Sequence, residues 1–147
     1  MATPKTLVVT VTFAANTPAN MRKSATIIDG TRSLAEYVVS KGKVLAIKDV
    51  YIKDSADVGV SSFATLVVDD EDKAHTAPLE VLLVSNPSRP RIPPLRVDEF
   101  KKLRVDVTNL AAVGTEDKTV TFYIDVEEVP KVVGATRKLL GLQLPSF

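Results

Sequence analysis

The sequence predicts an all-β fold in which two antiparallel sheets pack as a sandwich. Apolar residues recur at every second position of most hydrophobic segments, which is the period of a strand with one buried face. Acidic and proline-rich stretches separate these short segments, as turns and edge connections do. Hydrophobic residues make up 45% and charged residues 25% of the 147 residues, proportions that suit one globular core.

The clearest strands are residues 103–108 and 119–127, where apolar and polar side chains alternate without interruption. Residues 6–13 alternate in a similar way. Within residues 43–53 the apolar positions change phase across Lys48 and Asp49, which indicates a β-bulge or a strand that crosses between the sheets. Shorter apolar runs bring the total to about eight strands, at residues 24–28, 63–68, 79–84 and 95–97.

One segment breaks the period of two and predicts a short helix. Ser33 and Glu36 have the spacing of a capping box, and Gly42 follows as a stop signal. The apolar residues between them have helical spacing, at Leu34, Tyr37 and Val38. The alternative is a strand through residues 37–39, because β-branched residues favour strands. Both interpretations turn Tyr37 inward.

The long connections indicate a jelly-roll or Greek-key arrangement of the strands. Residues 86–94 contain four prolines, which lack the N–H group that a central strand needs. This segment is therefore predicted to be an edge or a crossing connection between the sheets. We expect one sandwich domain over residues 1–130, followed by a separate C-terminal tail over residues 131–147.

The tail is apolar and basic. Residues 131–147 contain no acidic residue and three basic ones. The predicted core is complete once the last strand has been added, so the apolar residues of the tail are not needed in it. The tail therefore either caps its own sandwich or is buried on a neighbouring subunit. The predicted subunit interface consists of Val132, Val133, Leu139, Leu140, Leu142, Leu144, Phe147, Arg137 and Lys138.

The composition excludes much catalytic chemistry. The chain has no cysteine and a single histidine, His75, so thiolate sites and paired imidazoles are absent. No nucleophile elbow and no phosphate-binding glycine motif occurs. We expect no enzyme activity, no cofactor and no metal site. The acidic residues 69–72 lack the central glycine of a calcium loop and are interpreted as a solvated hairpin tip, with His75 in a surface turn.

Two small basic clusters are interpreted as solvated loops. The formal net charge of +1 provides no field that draws the chain to nucleic acid or an anionic membrane. No aromatic residues interleave with the basic ones to stack on bases. The clusters are Arg89, Arg91 and Arg96 in the proline-rich connection, and Arg22, Lys23 and Arg32 nearer the start.

The composition also indicates assembly and a harsh environment. A mean hydropathy of +0.11 is slightly apolar for a small domain, and burial against another chain accommodates that surplus. The absence of Cys and Trp, a single Gln and prolines gathered in one loop are typical of thermostable proteins. The first 13 residues lack the features of a signal peptide, so we expect a cytosolic protein without a membrane span.

This layout of short strands, long connections and a terminal arm resembles the single jelly-roll subunits of viral capsids and spikes. The resemblance covers residues 5–128 and transfers no functional residue. It implies a structural protein of a virion or similar particle, which packs against copies of itself and against other structural proteins of that particle. The alternative is a small binding module that recognises a protein or carbohydrate through its loop tips, residues 54–60, 69–77 and 86–94.

Overall fold

The computed structural model describes residues 3–83 and 95–131, and these residues form two antiparallel sheets around one apolar core. The predicted all-β sandwich is confirmed. The strands are β1 (Thr3–Phe13), β2 (Arg22–Ser24), β3 (Thr26–Asp29), β4 (Arg32–Leu34), β5 (Tyr37–Val38), β6 (Lys43–Tyr51), β7 (Ser62–Val68), β8 (Glu71–His75), β9 (Leu95–Val97), β10 (Lys102–Asn109) and β11 (Lys118–Pro130).

The strand order is that of a jelly roll. Sheet A has the order β4-β3-β1-β11-β6-β9 and sheet B has the order β2-β10-β7-β8, with β5 also paired to β10. Eight of these strands form two facing sets of four, β1-β11-β6-β9 and β2-β10-β7-β8. The chain changes sheet at each step between these eight strands except at the β7–β8 hairpin, as the jelly-roll prediction requires.

The core lies between the sheets and follows the alternation of the sequence. Strands β1 and β11 pair over eleven residues, from Thr3 opposite Glu128 to Phe13 opposite Lys118. Every second residue in the middle of this pair is buried between the sheets, and the side chains concerned are Leu7, Val9, Val11, Phe13, Val120, Phe122, Ile124 and Val126. Burial of these side chains holds the two sheets together.

The phase change in β6 is a β-bulge. Asp49 pairs with Asp125 and Ile47 pairs with Val126, so Lys48 is the extra residue of the β6 strand. The bulge keeps Ile47 and Val50 on the same buried face although they are three residues apart. The first of the two interpretations of this segment is therefore confirmed.

The predicted short helix is wrong. Ser33 lies in β4 and Tyr37 lies in β5, where it pairs with Leu103. A helix of this length is marginal by itself, so strand pairing, with the adjacent β3 for β4 and with the distant β10 for β5, outweighs the capping-box signal. The alternative of a strand through residues 37–39 is confirmed for residues 37 and 38. The inward placement of Tyr37 is also confirmed, since only 5% of the residue is exposed.

Two further strand predictions need correction. Residues 79–81 form a single 3₁₀ turn after Pro78, and Leu83 contributes one isolated bridge to Ile52. The turn still buries Leu79 completely, which explains why an apolar run occurs there without a strand. The segment 24–28 is divided between sheet B and sheet A, because β2 ends at Ser24 and β3 begins at Thr26. The proline-rich residues 86–94 lie outside the described residues.

Deletion of Lys48 tests the role of the bulge. The deletion shifts residues 43–47 by one position and turns Leu45 and Ile47 from the core to the solvent face. We expect the free energy of unfolding to fall by at least ~3 kcal/mol, because two large side chains leave the core. Urea unfolding followed by circular dichroism measures this loss.

The matched control is Lys48→Ala, which keeps the extra residue. Lys48 is exposed and its contact to Glu127 is 3.5 Å long, so we expect a change within about 0.5 kcal/mol. A deletion variant as stable as the control would show that the bulge does not set the register of β6.

Candidate functional site

Two charged residues point inward where β1 begins and β11 ends, which we call the terminal end of the sandwich. Lys5 and Glu128 continue the inward phases of their strands, and Lys5 Nζ lies 2.6 Å from Glu128 Oε1. The hydroxyl of Tyr37, from sheet B, donates to the same carboxylate oxygen. The Lys5 ammonium also lies 4.8 Å from the centre of the Tyr37 ring. A charged cluster therefore joins the two sheets at this end.

The cluster shifts the pKa values of its members. The hydrogen bonds from Lys5 and Tyr37 hold the pKa of Glu128 below its usual value of 4.5. Burial lowers the pKa of Lys5, but the bonds to Glu128, Tyr37 and Asp29 outweigh it and leave this pKa raised. Burial also raises the pKa of Tyr37. The pair is therefore ionised at neutral pH, and Tyr37 stays a hydrogen-bond donor.

The last described residue, Lys131, is held at the same end. Its Nζ lies 2.7 Å from Glu99 Oε1, and its backbone N–H donates to the Gly42 carbonyl at 2.8 Å. Gly42 has a positive φ of 76° and donates its own N–H to Glu99 Oε2 at 2.6 Å. The ion pair with Lys131 and the bond from Gly42 lower the pKa of Glu99. The predicted tail thus begins at a fixed point on the surface.

An apolar patch lies beside this fixed point. Phe100 follows Glu99 and is 61% exposed, and Val38 is 53% exposed. The backbone N–H of Phe100 donates to the carbonyl of Val39, the neighbour of Val38. We call Val38 and Phe100 the terminal patch.

Phe100 also has an unfavourable backbone conformation. Its φ is 67°, in the turn that the bond from Lys101 N–H to the Asp98 carbonyl closes. Glycine or asparagine is usual in this left-handed region, which costs a bulky residue about 1–2 kcal/mol. Strain of this kind is found most often at functional positions. The chain therefore keeps a large apolar side chain in water at a position that disfavours it.

The outer face of sheet B is covered by its own ion pairs. Asp106 is only 3% exposed and accepts hydrogen bonds from Arg22, Arg104 and Ser24. Burial raises the pKa of Asp106, but these three bonds outweigh it and leave the pKa lowered. Arg22 also forms two hydrogen bonds with Asp72 on β8, so its side chain spans β10 and β7. This network leaves little apolar surface for a partner on that part of the face.

Next to the network is a groove of about 370 Å³. It lies where β2 and β5 leave a gap along β10, because the chain between them forms the β3–β4 hairpin of sheet A. Glu36 lines the groove, is partly exposed, and forms no hydrogen bond or ion pair with a described residue. The lining residues are Ser24, Ala35, Glu36, Asp69, Asp70, Lys102 and Arg104.

The outer face of sheet A carries threonines and a tyrosine pair. Tyr51 and Tyr123 stack with their ring centres 5.8 Å apart, and the Tyr51 hydroxyl donates to Asp125 at 2.9 Å. The register aligns the tyrosines with half-buried apolar residues of β1 and β3 in one row across four strands, namely Ile28, Val8, Tyr123 and Tyr51. This row forms a half-buried surface of aliphatic and aromatic side chains.

The acidic run is a hairpin tip, as predicted. Asp69 and Asp70 both have positive φ and form the two-residue turn between β7 and β8. Asp69 accepts a hydrogen bond from the Lys102 backbone at 2.9 Å. Within residues 3–83 and 95–131, no three potential metal-ligating side chains lie close enough together to hold an ion.

The placement of His75 in a turn is wrong. His75 is the last residue of β8, where its Nδ1 lies 2.8 Å from Thr65 Oγ1 and its ring meets the edge of Phe63. It is exposed, as predicted. The hydrogen bond and the ring contact give this histidine a structural role on the outer face of sheet B.

The basic clusters do not form common patches. Arg22 lies in sheet B, whereas Arg32 lies in sheet A and pairs with Asp29 at 2.8 Å. Lys23 donates to the carbonyl of Thr12, and Arg96 pairs with Asp98. Two groups of predicted residues lie outside the described residues: Arg89 and Arg91, and the interface residues Val132, Val133, Leu139, Leu140, Leu142, Leu144, Phe147, Arg137 and Lys138.

Comparison with known proteins identifies no relative: no protein-family model matches this sequence, and no curated protein resembles it significantly. In the part of the chain that the structure describes, no helix is long and apolar enough to cross a membrane.

Sequence reasoning missed the three residues that define the terminal end. For Lys5 and Glu128 a signal existed, because each continues the inward phase of a long strand although it is charged. For Phe100 there was none, since its exposure and its positive φ depend on the turn before β10. A charged residue at an inward position of a strand is therefore the sequence signal that indicates this site.

Glu128→Gln tests the charged cluster. The variant keeps the shape of the side chain but removes the charge that Lys5 faces. We expect it to lower the free energy of unfolding by about 2 kcal/mol at pH 7, the usual contribution of hydrogen bonds to charged groups. Because the pKa of Glu128 is lowered by folding, its stabilisation is present above pH 4.5 and is lost as the pH falls through the lower folded value.

The difference between Glu128→Gln and the parent should therefore shrink as unfolding is measured at successively lower pH. The control is Glu127→Gln, because Glu127 is the outward neighbour and only contacts the exposed Lys48 at 3.5 Å. Equal losses in both variants, or a loss that does not depend on pH, would contradict the assigned role of Glu128.

Proposed function

We propose that this protein is a non-enzymatic structural subunit that assembles with copies of itself through its terminal end. The observation that carries the proposal is the exposed terminal patch beside the anchored start of an apolar tail. Val38 and Phe100 offer an apolar surface that nothing in the described part of the chain covers. The tail offers apolar side chains that the described core does not need, because the core is closed by both sheets.

The free energy of burying the apolar side chains of the tail favours association. The tail contains seven large apolar residues, and burial of each contributes about 1.5–3 kcal/mol. The sum of roughly 10–20 kcal/mol compares with about 4–15 kcal/mol for the lost freedom of two associating subunits. Burial of these side chains on a neighbour therefore favours association, while the ordering of the tail residues opposes it.

The sheet edges direct assembly toward the terminal end. The β8 edge of sheet B carries Glu71, Asp72, Lys73 and His75, which oppose the addition of a strand from another copy. At the edges of sheet A, β4 and β9 are three residues long. Continuous sheets between copies are thus disfavoured, and contacts through side chains and the tail remain.

We further propose that the assembled particle is a virion, with this chain as a capsid or spike subunit beside other structural proteins. The jelly-roll strand order supports this proposal, because the fold is common among capsid proteins. The resemblance in the layout of strands, connections and tail supports it as well.

Deletion of residues 132–147 tests the role of the tail. We expect the full chain to sediment as an oligomer and the shortened chain as a folded monomer, because the main apolar surface of the contact is removed. Analytical ultracentrifugation of both chains measures the difference, and circular dichroism checks that the sandwich remains folded. A full chain that is monomeric at all concentrations would overturn the proposal.

Phe100→Gly tests the terminal patch separately from folding. Glycine adopts the positive φ without strain, so we expect the sandwich to be as stable as the parent or up to ~1 kcal/mol more stable. Assembly should nevertheless weaken, because the apolar ring is gone. Leu110→Ser is the control, since Leu110 is 39% exposed and follows the far end of β10. Equal assembly of both variants would remove Phe100 from the contact.

A second candidate function is favoured by the tyrosine pair on sheet A. Stacked rings beside the Asp125 carboxylate form a platform on which a sugar or a flat side chain of a partner could lie. This candidate uses the face of the sheet, whereas the binding-module alternative from the sequence uses the loop tips. The Lys53 ammonium lies 4.5 Å from the centre of the Tyr123 ring and partly occupies the platform.

Binding to a panel of immobilised oligosaccharides distinguishes this candidate. A binding module should retain at least one sugar, and Tyr123→Ala should lose that binding while Tyr37→Phe keeps it, because Tyr37 lies in the core. Absence of binding across the panel leaves assembly as the function that the surfaces support.

A further inference from the structure

We propose that the groove on sheet B receives the basic pair Arg137 and Lys138 from the tail of a second copy, while the following leucines cover the terminal patch. This inference rests on the proposed function, since it names the surface that the tail occupies. It is carried by the unpaired carboxylate of Glu36, by the position of the groove beside Val38, and by the order of residues in the tail.

The groove contains one carboxylate that suits a basic side chain. Of its three lining carboxylates, Asp69 pairs with Lys101 at 3.1 Å and Asp70 pairs with Arg104 at 3.0 Å, which leaves Glu36. Arg104 is already engaged, because it bonds to Asp70 at 3.0 Å and to Asp106 at 3.0 Å. Glu36 forms no hydrogen bond or ion pair with a described residue. A guanidinium or ammonium group that enters the groove therefore gains an ion pair without breaking one.

The groove and the terminal patch form one continuous surface. Lys102 lines the groove and pairs with Val38 across the sheet, on the outward-facing side of both strands. Phe100 precedes Lys102 by two residues and bonds through its backbone to Val39. A bound segment thus meets the acidic groove and then, one strand position away, the two exposed apolar side chains.

The tail presents matching chemistry in the same order. Arg137 and Lys138 are followed directly by Leu139 and Leu140. Extended residues advance about 3.3 Å each, so a basic side chain in the groove places the next leucines roughly 3–10 Å away. Val38 lies at this range from the groove because adjacent strands are ~4.8 Å apart.

The donor is a second copy because the tail is the link that the proposed function requires. Within its own chain the tail starts at Lys131, which is fixed beside Phe100 by Glu99. A tail that folded onto its own groove would cover the patch and leave nothing to join subunits. The two arrangements differ in a measurable way, since only exchange between copies allows complementary variants to rescue each other.

The experiment uses charge reversal in the full chain. Glu36→Arg changes the groove, and Arg137→Glu combined with Lys138→Glu changes the tail. We expect each variant alone to raise the dissociation constant of the assembly about tenfold or more, because like charges then meet in the contact. Sedimentation velocity at several protein concentrations measures the constant, and thermal unfolding checks that each variant is folded.

The rescue experiments test whether the groove of one copy contacts the tail of another. The chain with all three substitutions should assemble as the parent does, and an equimolar mixture of the groove variant and the tail variant should also assemble. The control is Glu116→Arg, an exposed acid in the loop before β11, which should leave assembly unchanged.

Each outcome separates the two proposals. If deletion of residues 132–147 abolishes assembly but Glu36→Arg does not weaken it, this inference is wrong and the proposed function stands. If the triple variant assembles and the mixture does not, the contact lies within one chain and the second copy is excluded as the donor. If the tail deletion has no effect, both proposals are overturned together.

Discussion

The pairing of β1 with β11 is the constraint on which the rest of the structure depends. It joins the first described residues of the chain to the last ones over eleven positions, at the centre of sheet A. Because the two strands are antiparallel, Thr3 and Lys131 lie at the same end of the sandwich. The start of the tail, the inward pair of Lys5 and Glu128, and the terminal patch are therefore neighbours for one reason, the long ladder between these strands.

The inward side chains of this ladder change in chemistry between its middle and the terminal end. Toward the middle its inward side chains are aliphatic or aromatic, whereas at the terminal end they are Lys5 and Glu128. A charged pair in this position contributes less free energy than apolar packing, but it holds the sheets in one relative position through Tyr37. The terminal end thus stays defined in shape although it is partly open to water. A partly polar rim beside an exposed apolar patch suits the subunit contact that we propose.

Local pattern predicted the long strands and failed at short segments whose structure depends on the strands they pair with. Alternation located β10 and β11, and a change of phase across Lys48 and Asp49 indicated the irregularity that the structure shows as a bulge, because burial on one face is visible in each strand alone. The segment from Ser33 to Val38 has helical spacing, yet its first half forms a hairpin with the neighbouring β3 and its second half pairs with β10, which is remote in sequence. No local signal shows that Phe100 occupies a turn with positive φ, or that Glu36 borders a gap in sheet B.

The sequence by itself determined the class of the fold, the position of most strands and the lack of cysteine chemistry, since these follow from period and composition. It also marked the tail as apolar and basic. The tertiary structure decided which strands are neighbours, and with them which side chains share a surface. The physical reason is that β pairing is non-local: a residue's partner across the sheet depends on every other strand, and a functional surface exists only after those pairings form.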